Sequence, residues 1–303
     1  MKKQSIVSVI IPTYSRPDNI VRAIKSVLAQ TYKPIEIIVV DDNGIDTEYQ
    51  KETEKMLLPF VEAGRIQYFK HEVNKNGSAA RNTGFRASKG DYVTFLDDDD
   101  EMHPEKIEKQ VAALEERDES FGMAYTGCQI KRNNHVERRF DAQKNGNLME
   151  ELMLGTWRLG SGSNLLIRRE AIDKIGGYDE SFMRHQDVEF ALRLFRFYNI
   201  VGVDEILLTK NNDSKPRRPK ARHYLDIEEK FLFTFKKDIE SLNPSISNQI
   251  YYRSYYNLAI KAVNELDFTF AYQMLRKAAA YRRITLKDWL KLLKNGILHS
   301  QKR

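Results

Sequence analysis

Four consecutive aspartates, Asp97-Asp98-Asp99-Asp100, with Glu101 following, are the densest concentration of chemistry in the sequence. Adjacent carboxylates repel one another and titrate high unless something neutralises them. No Lys or Arg lies between Asp91 and Pro104. A divalent cation is therefore the simplest local neutraliser, and hard oxygen ligands suit Mg²⁺ or Mn²⁺. On a nearly extended chain residues i and i+2 point the same way, which makes Asp97 and Asp99 the better metal pair. A solvated acidic turn has the same composition. What favours the metal is position: the run closes an apolar stretch, residues 91–96, just as Asp41-Asp42 closes residues 35–40.

A metal that keeps several waters is usually shared with a substrate phosphate. The chain has neither G-x-x-x-x-G-K-[ST] nor G-x-G-x-x-G, so kinase and dinucleotide readings lose their main support. Instead Asn74-x-x-Gly77 precedes Ala80-Arg81-Asn82 at an expected helix start, where backbone N–H groups and Arg81 would face an anion. A surface arginine on an amphipathic helix is the plain alternative for Arg81.

These residues need a scaffold, and the pattern supplies one. Apolar runs at residues 8–11, 35–40, 66–69 and 91–96 read as strands. Helical patterns at 17–28, 47–63 and 79–87 separate them. Strand–helix alternation of this length means βαβ crossovers and a largely parallel sheet. Ligands bind outside the carboxyl ends of such strands. Pro12-Thr13-Tyr14, Asp41-Asp42 and Asp97–Asp100 should therefore converge on one rim.

Downstream, residues 164–168 are strand-like, with helices expected from Ala171 and over 187–198. Asp187 would sit where a helix N-cap belongs. Residues 213–220 (DSKPRRPK), which include Arg217 and Arg218, read as a linker. Beyond them the pattern is helical, with a hairpin of 251–266 and 268–280 about Asp267 and a last helix over 286–297. The expected division is 1–212 for a catalytic domain and 213–303 for a small all-helical, basic domain.

With 303 residues, 41% of them hydrophobic and including 15 Phe and 15 Tyr, the chain can build more than one core. The net charge of +6 would suit nucleic acid if it were evenly spread. It is not: residues 1–210 hold 30 Lys+Arg against 34 Asp+Glu, and residues 211–303 hold 19 against 9. No nucleic acid is expected. The single cysteine, Cys128, excludes an internal disulfide and fits a reducing cytoplasm. The apolar stretch near the N-terminus is too short for a secretory signal and reads as a strand.

The motifs taken in order resemble family-2 glycosyltransferases of the A-type, nucleotide-diphospho-sugar-binding fold. The resemblance rests on Val9–Arg16 (VIIPTYSR), Val39-Val40-Asp41-Asp42, Asn74–Asn82 (NKNGSAARN), Gly84, Gly90-Asp91-Tyr92 and Phe95–Asp100 (FLDDDD). It continues at Gly176–Glu180 (GGYDE) and at Gln186-Asp187 before Leu192-Arg193-Leu194. It implies that Pro12, Thr13, Tyr14 and Arg16 border the nucleotide, and that Asp42 accepts the uracil N3–H. Asn74, Gly77 and Arg81 would line base and diphosphate. Asp97 and Asp99 would form the metal-binding D-x-D, with Asp98 near the ribose. Asp187 would deprotonate the acceptor hydroxyl. The family usually has Glu where this chain has Gln186, and many relatives carry a His whose closest counterpart here is Asn211.

The implied activity is inverting, metal-dependent transfer of a hexosyl or N-acetylhexosaminyl group from a UDP-sugar. The acceptor would be a hydroxyl of a bacterial surface glycan, a lipid-linked sugar or a cell-wall polymer. A sugar nucleotidyltransferase is one alternative, and a non-catalytic glycan- or nucleic-acid-binding protein another. Trp157 reads equally as a sugar-stacking acceptor contact or as core, and glycines 155, 160 and 162 are candidate acceptor contacts; His185 is expected to be structural or acceptor-facing. In residues 286–298 (LKDWLKLLKNGIL), Leu286, Trp289, Leu290, Leu293 and Ile297 make an apolar stripe beside Lys287, Lys291 and Lys294. Such a helix suits peripheral contact with the inner face of a membrane, or packing within the protein or against a second copy.

Overall fold

A computed structural model describes residues 4–212 and 220–300, with side chains through 295. The described residues form two units. The first runs through Leu152 and from Trp157 to the end of the last strand; the second combines Met153–Thr156 with the helices from Ala221 onward. Arg217, Arg218 and the expected boundary at Asp213 lie outside the described residues.

The first unit opens β1(Val7–Thr13), α1(Pro17–Leu28), β2(Ile35–Asp41), α2(Glu48–Glu62), β3(Gln67–Lys70), α3(Gly77–Ala87) and β4(Tyr92–Phe95). The apolar face of α1 (Ile20, Ala23, Ile24, Val27) is buried against the sheet's core residues Val7, Val9, Ile11 and Val39. Thr47 caps α2 by accepting from the Gln50 amide. All pairings among β1–β4 are parallel, as the crossovers require.

The second half departs from that pattern. β5(Asp100–Met102), α4(Lys106–Glu115), β6(Phe121–Arg132), β7(His135–Phe140), α5(Met149–Leu154), β8(Leu166–Arg168), α6(Arg169–Ile175), α7(Gln186–Phe195) and β9(Asn199–Asn211) complete the sheet, in the order β3-β2-β1-β4-β8-β6-β9-β5. β8 is antiparallel to both β4 and β6, β5 is antiparallel to β9, and β7 pairs with β6. The sheet is thus mixed rather than uniformly parallel. The aspartate run is not all turn: Asp100 opens β5 and pairs in register with Lys210 of β9.

The second unit holds α8(Ala221–Thr234), α9(Lys236–Glu240), α10(Pro244–Asn264), α11(Phe268–Ala279) and α12(Leu286–Ser300). Asp267 caps α11 by accepting from the Phe270 amide, which makes it the pivot of the α10–α11 hairpin. The core of this unit is Tyr252, Tyr256, Ala259, Phe270, Met274 and Leu292, among others. Among the described residues no helix is long and apolar enough to cross a membrane.

Candidate active site

The three strand-end clusters meet. The Asp42 amide donates to Thr13 O at 3.0 Å, and the Leu96 amide, at the end of β4, donates to Ile10 O at 2.9 Å. Thr13 Oγ1 donates to Asp98 Oδ2 at 2.8 Å. Arg16 then reaches across, pairing with Asp98 at 3.0 Å and with Asp99. Tyr14 is exposed at this rim.

The charges on the aspartates are matched by cations that lie far away in sequence. Arg81, buried on α3, donates to Asp97 Oδ1 at 2.7 Å and to Gln186 Oε1 at 3.2 Å. Its guanidinium sits 5.3 Å from the Tyr178 ring centroid. Gly77 leaves room for it, because a Cβ there would stand 3.0 Å from Arg81 Nη1. Lys210 lies 3.5 Å from Asp97 Oδ2 and 3.8 Å from Asp100 Oδ1. The β5–β9 register explains it, since residues directly opposite in an antiparallel pair bring their side chains together. Local neutralisation is therefore arginine and lysine, and a metal is not the only group that can balance the run.

The four aspartates consequently differ. Burial pushes the Asp97 carboxyl up, but Lys210, Arg81 and Arg16 outweigh it and hold the group down at about 2. Asp98 is almost wholly buried, and burial raises it to about 7 despite Arg16. It faces Thr13 and Arg16 inside the rim. Asp100 is fully buried, accepts from Ser161 Oγ at 2.8 Å and is likewise raised to about 7 by burial. Behind it, buried Lys106 donates to Gln110 Oε1, and burial lowers its amine to about 7.

Asp42 is tied into the same rim by its neighbours. Its carboxylate takes His71 Nδ1 (2.6 Å) and the Lys75 amide (2.8 Å) on one oxygen. The other takes Asn74 Nδ2 and the Asn76 amide, each at 2.9 Å. Four donors hold the carboxylate in place at the rim. Asp42 and Asn74 build the turn that delivers Asn76, whose side chain caps α3 by accepting from Ser78 and Ala79 amides. The helix starts at Gly77, two residues before the expected start at Ala79. Asp42→Ala would strand several of these donors and is expected to cost about 2 kcal/mol, read as a lower denaturation midpoint of the full chain.

Asn82, on the same helix, clasps the downstream motif. Its Nδ2 donates to Tyr178 O and Glu180 Oε1, both 2.9 Å, and its Oδ1 accepts from the Tyr178 amide at 2.8 Å. That clasp fixes the segment leading to α7, where Asp187 lies in the first turn. The N-cap position belongs to His185, at φ 59°, so Asp187 is not the cap. Asp187 Oδ1 is buried and without a hydrogen-bond partner. Burial raises its pKa above the ordinary carboxylate range, partly offset by Arg81 and by the Gly162 amide.

A three-residue segment absent from the motif set ties the acids together. Ser161 bonds Asp100, Gly162 abuts Asp187, and Ser163 Oγ accepts from the Asp97 amide at 2.9 Å. Asn211 donates through its amide nitrogen to Asp99 O and Glu101 Oε1. Trp157 proves to be core: it is buried, edge-on to Tyr125 at 5.2 Å and to Phe195 at 6.2 Å. Cys128 is buried and its thiol is pushed up to about 11 by burial, which leaves it unreactive.

Residues 8–176, carrying the β1 motif, Asn82 and the aspartate run, match the family described as glycosyl transferase family 2. The chain belongs to that family. Among curated relatives it is 35% identical over 210 residues to an uncharacterized glycosyltransferase of Rickettsia prowazekii, covering 67% of this chain and 63% of that one. It is 29% identical over 192 residues to the amylovoran biosynthesis glycosyltransferase AmsB of Erwinia amylovora, covering 61% and 62%. The chain spans 34% to 63% of the length of the first such relatives. Its fold is that of the mannosyltransferase PcManGT from Pyrobaculum calidifontis in complex with GDP-Man and Mn²⁺, at TM-score 0.60 and 18% identity, covering 98% of this chain and 81% of that one.

Proposed function

We propose that this family-2 glycosyltransferase transfers a sugar, with inversion, from a nucleotide-diphospho-sugar to a hydroxyl of a glycan, a lipid-linked sugar or a cell-wall polymer. The observation that carries the reading is the Asp187 carboxylate, with one buried oxygen unpartnered and its pKa raised by burial, joined through the Gln186–Arg81–Asp97 bonds to the aspartate run. In the proposed step the acceptor oxygen attacks C1 of the donor sugar, its proton passes to Asp187, and the C1–O bond to the diphosphate breaks. One displacement gives inversion. Arg16, Arg81 and Lys210, the cations around the aspartate run, would balance charge on the departing diphosphate.

Asp97 and Asp99 offer the carboxylate oxygens that a hard divalent cation takes. Among the described residues no group of three or more His, Cys, Asp and Glu is placed to hold a metal, so such an ion would draw its remaining ligands from diphosphate and water. Bound there, Mn²⁺ or Mg²⁺ would supply Lewis-acid stabilisation of the leaving group. Lys210 would then compete with it at Asp97. Lys210→Met is expected to tighten Mn²⁺ binding roughly tenfold, about 1.4 kcal/mol of relieved repulsion, measured by titration calorimetry on the nucleotide-free protein. Weaker binding in the variant would remove Asp97 from the ligand set.

The resemblance supports a UDP-linked donor, and AmsB supports an acceptor in surface polysaccharide synthesis. The test is a panel of UDP- and GDP-sugars with Mn²⁺, scored by thermal stabilisation and then by nucleoside diphosphate release with acceptor. Stabilisation by one donor, with release that depends on Asp187, supports the reading. Stabilisation by none would overturn it.

A further inference from the structure

We propose that α12 is a docking surface for an anionic lipid bilayer. The helix is anchored on one side only. Leu292 is buried in the core of the second unit, Tyr256 Oη donates to Asp288 O at 2.6 Å, and Arg282 donates to Asp288 Oδ2 at 2.8 Å. Thr285 Oγ1 donates to the same Asp288 oxygen at 2.7 Å. The only acidic residue of α12 is thereby turned inward and neutralised.

At 100° per residue the opposite side of the helix carries Leu286, Trp289, Leu290 and Leu293. The structure leaves all four out of the core, at 75%, 47%, 56% and 60% exposure. Ile297, expected in the same stripe, lies outside the described side chains. Lys287 and Lys294 are exposed along one edge of the stripe; Lys291, also exposed, reaches back to 5.8 Å from the Tyr256 ring. The free face therefore pairs bulky apolar groups with positive charge and carries no carboxylate. That is the composition that seats in the boundary between headgroups and acyl chains, with lysines meeting anionic headgroups.

Charge decides against a second copy of the same face. Self-pairing sets a lysine-edged stripe against another with no acidic residue on either to answer it, and the excess of 19 basic over 9 acidic residues in 211–303 adds to the repulsion. An anionic bilayer offers both the apolar layer and the missing negative charge.

The full chain carries its own reporter. Of its two tryptophans, Trp157 is 7% exposed and buried among aromatics, so a change in emission on binding reports Trp289. Vesicles of phosphatidylglycerol mixed into phosphatidylcholine should blue-shift the emission and float with the protein, and added salt should reverse both. Pure phosphatidylcholine vesicles should do much less. The double variant Leu290→Glu, Leu293→Glu should lose flotation at least tenfold while thermal stabilisation by nucleotide, a property of the first unit, stays unchanged. Lys287→Gln with Lys294→Gln should weaken binding and flatten its salt dependence. Absence of binding to anionic vesicles at low salt, equal binding to neutral ones, or a dimer in sedimentation that already shields Trp289 would each overturn the proposal. None of these readouts depends on the sugar transferred, so failure here is separable from failure of the catalytic reading.

Discussion

Asp187→Asn will slow glycosyl transfer by about 10³-fold, within the 10²–10⁴ that a positioned general base contributes, while donor stabilisation of the fold changes little. The substitution keeps the shape and removes the proton acceptor. It should also remove one pH limb. Burial holds the Asp187 carboxyl above the usual carboxylate range, with Arg81 pulling partly against it. The base works only when deprotonated, so the wild-type rate should fall as pH drops through that raised value, above the ordinary range of about 4. The variant's residual rate should be flat there. Steady-state transfer against pH, with nucleotide binding measured in parallel, checks both halves. A variant retaining most of its transfer would reassign the proton acceptor.

Much of the first half of the fold was legible from short-range pattern alone. Strand ends in a parallel sheet fall on one rim, so the Thr13, Asp42 and Asp97–Asp100 clusters converge, and the hydrogen bonds from the Asp42 amide to Thr13 O and from Thr13 Oγ1 to Asp98 bear that out. Helix ends were legible where a cap residue marks them, as at Thr47 and Asp267. What periodicity does not carry is pairing across long separations. β5 is three residues long and is a strand only because β9 lies beside it. Lys210 reaches the aspartates through that same register, 110 positions after Asp100, and no motif announces it. The cations that balance the run therefore lie outside residues 91–104.

Side-chain saturation is equally invisible in sequence. Asp41 and Asp42 look alike, two acids at a strand end. The structure gives Asp41 the Asn43 amide and the Tyr68 hydroxyl, and gives Asp42 the turn at 74–76. Both are buried and hydrogen-bonded to the scaffold. Asp187 differs in the one respect that matters for proton transfer: an acceptor oxygen without a partner. Trp157 shows the same limit from the apolar side, since an aromatic among glycines reads equally as sugar platform or core until its neighbours are known.

Gly162→Ala tests the site's geometry without touching any titratable group, and it is expected to cost about 10²-fold in transfer rate. The backbone at Gly162 is outside the left-handed region, in a short 3₁₀ turn over Gly162–Asn164, so alanine is conformationally acceptable there. The obstacle is space. A Cβ on Gly162 would stand 2.5 Å from Asp187 Cγ and 2.9 Å from its Oδ2. Contacts that close do not persist, and the carboxylate must move aside. A displacement on the order of 1 Å in a reacting group costs about 10² in rate. The flanking bonds of Ser161 to Asp100 and Ser163 to the Asp97 amide hold the segment in place, so the side chain of Asp187 gives way rather than the loop. The expected signature is a lowered kcat with nearly unchanged donor KM and melting temperature. Combined with Asp187→Asn, the alanine should add almost nothing, because both act through one carboxylate. Additive losses in the double variant would mean that Gly162 serves something else, such as backbone room for the acceptor, and that the contact with Asp187 is incidental.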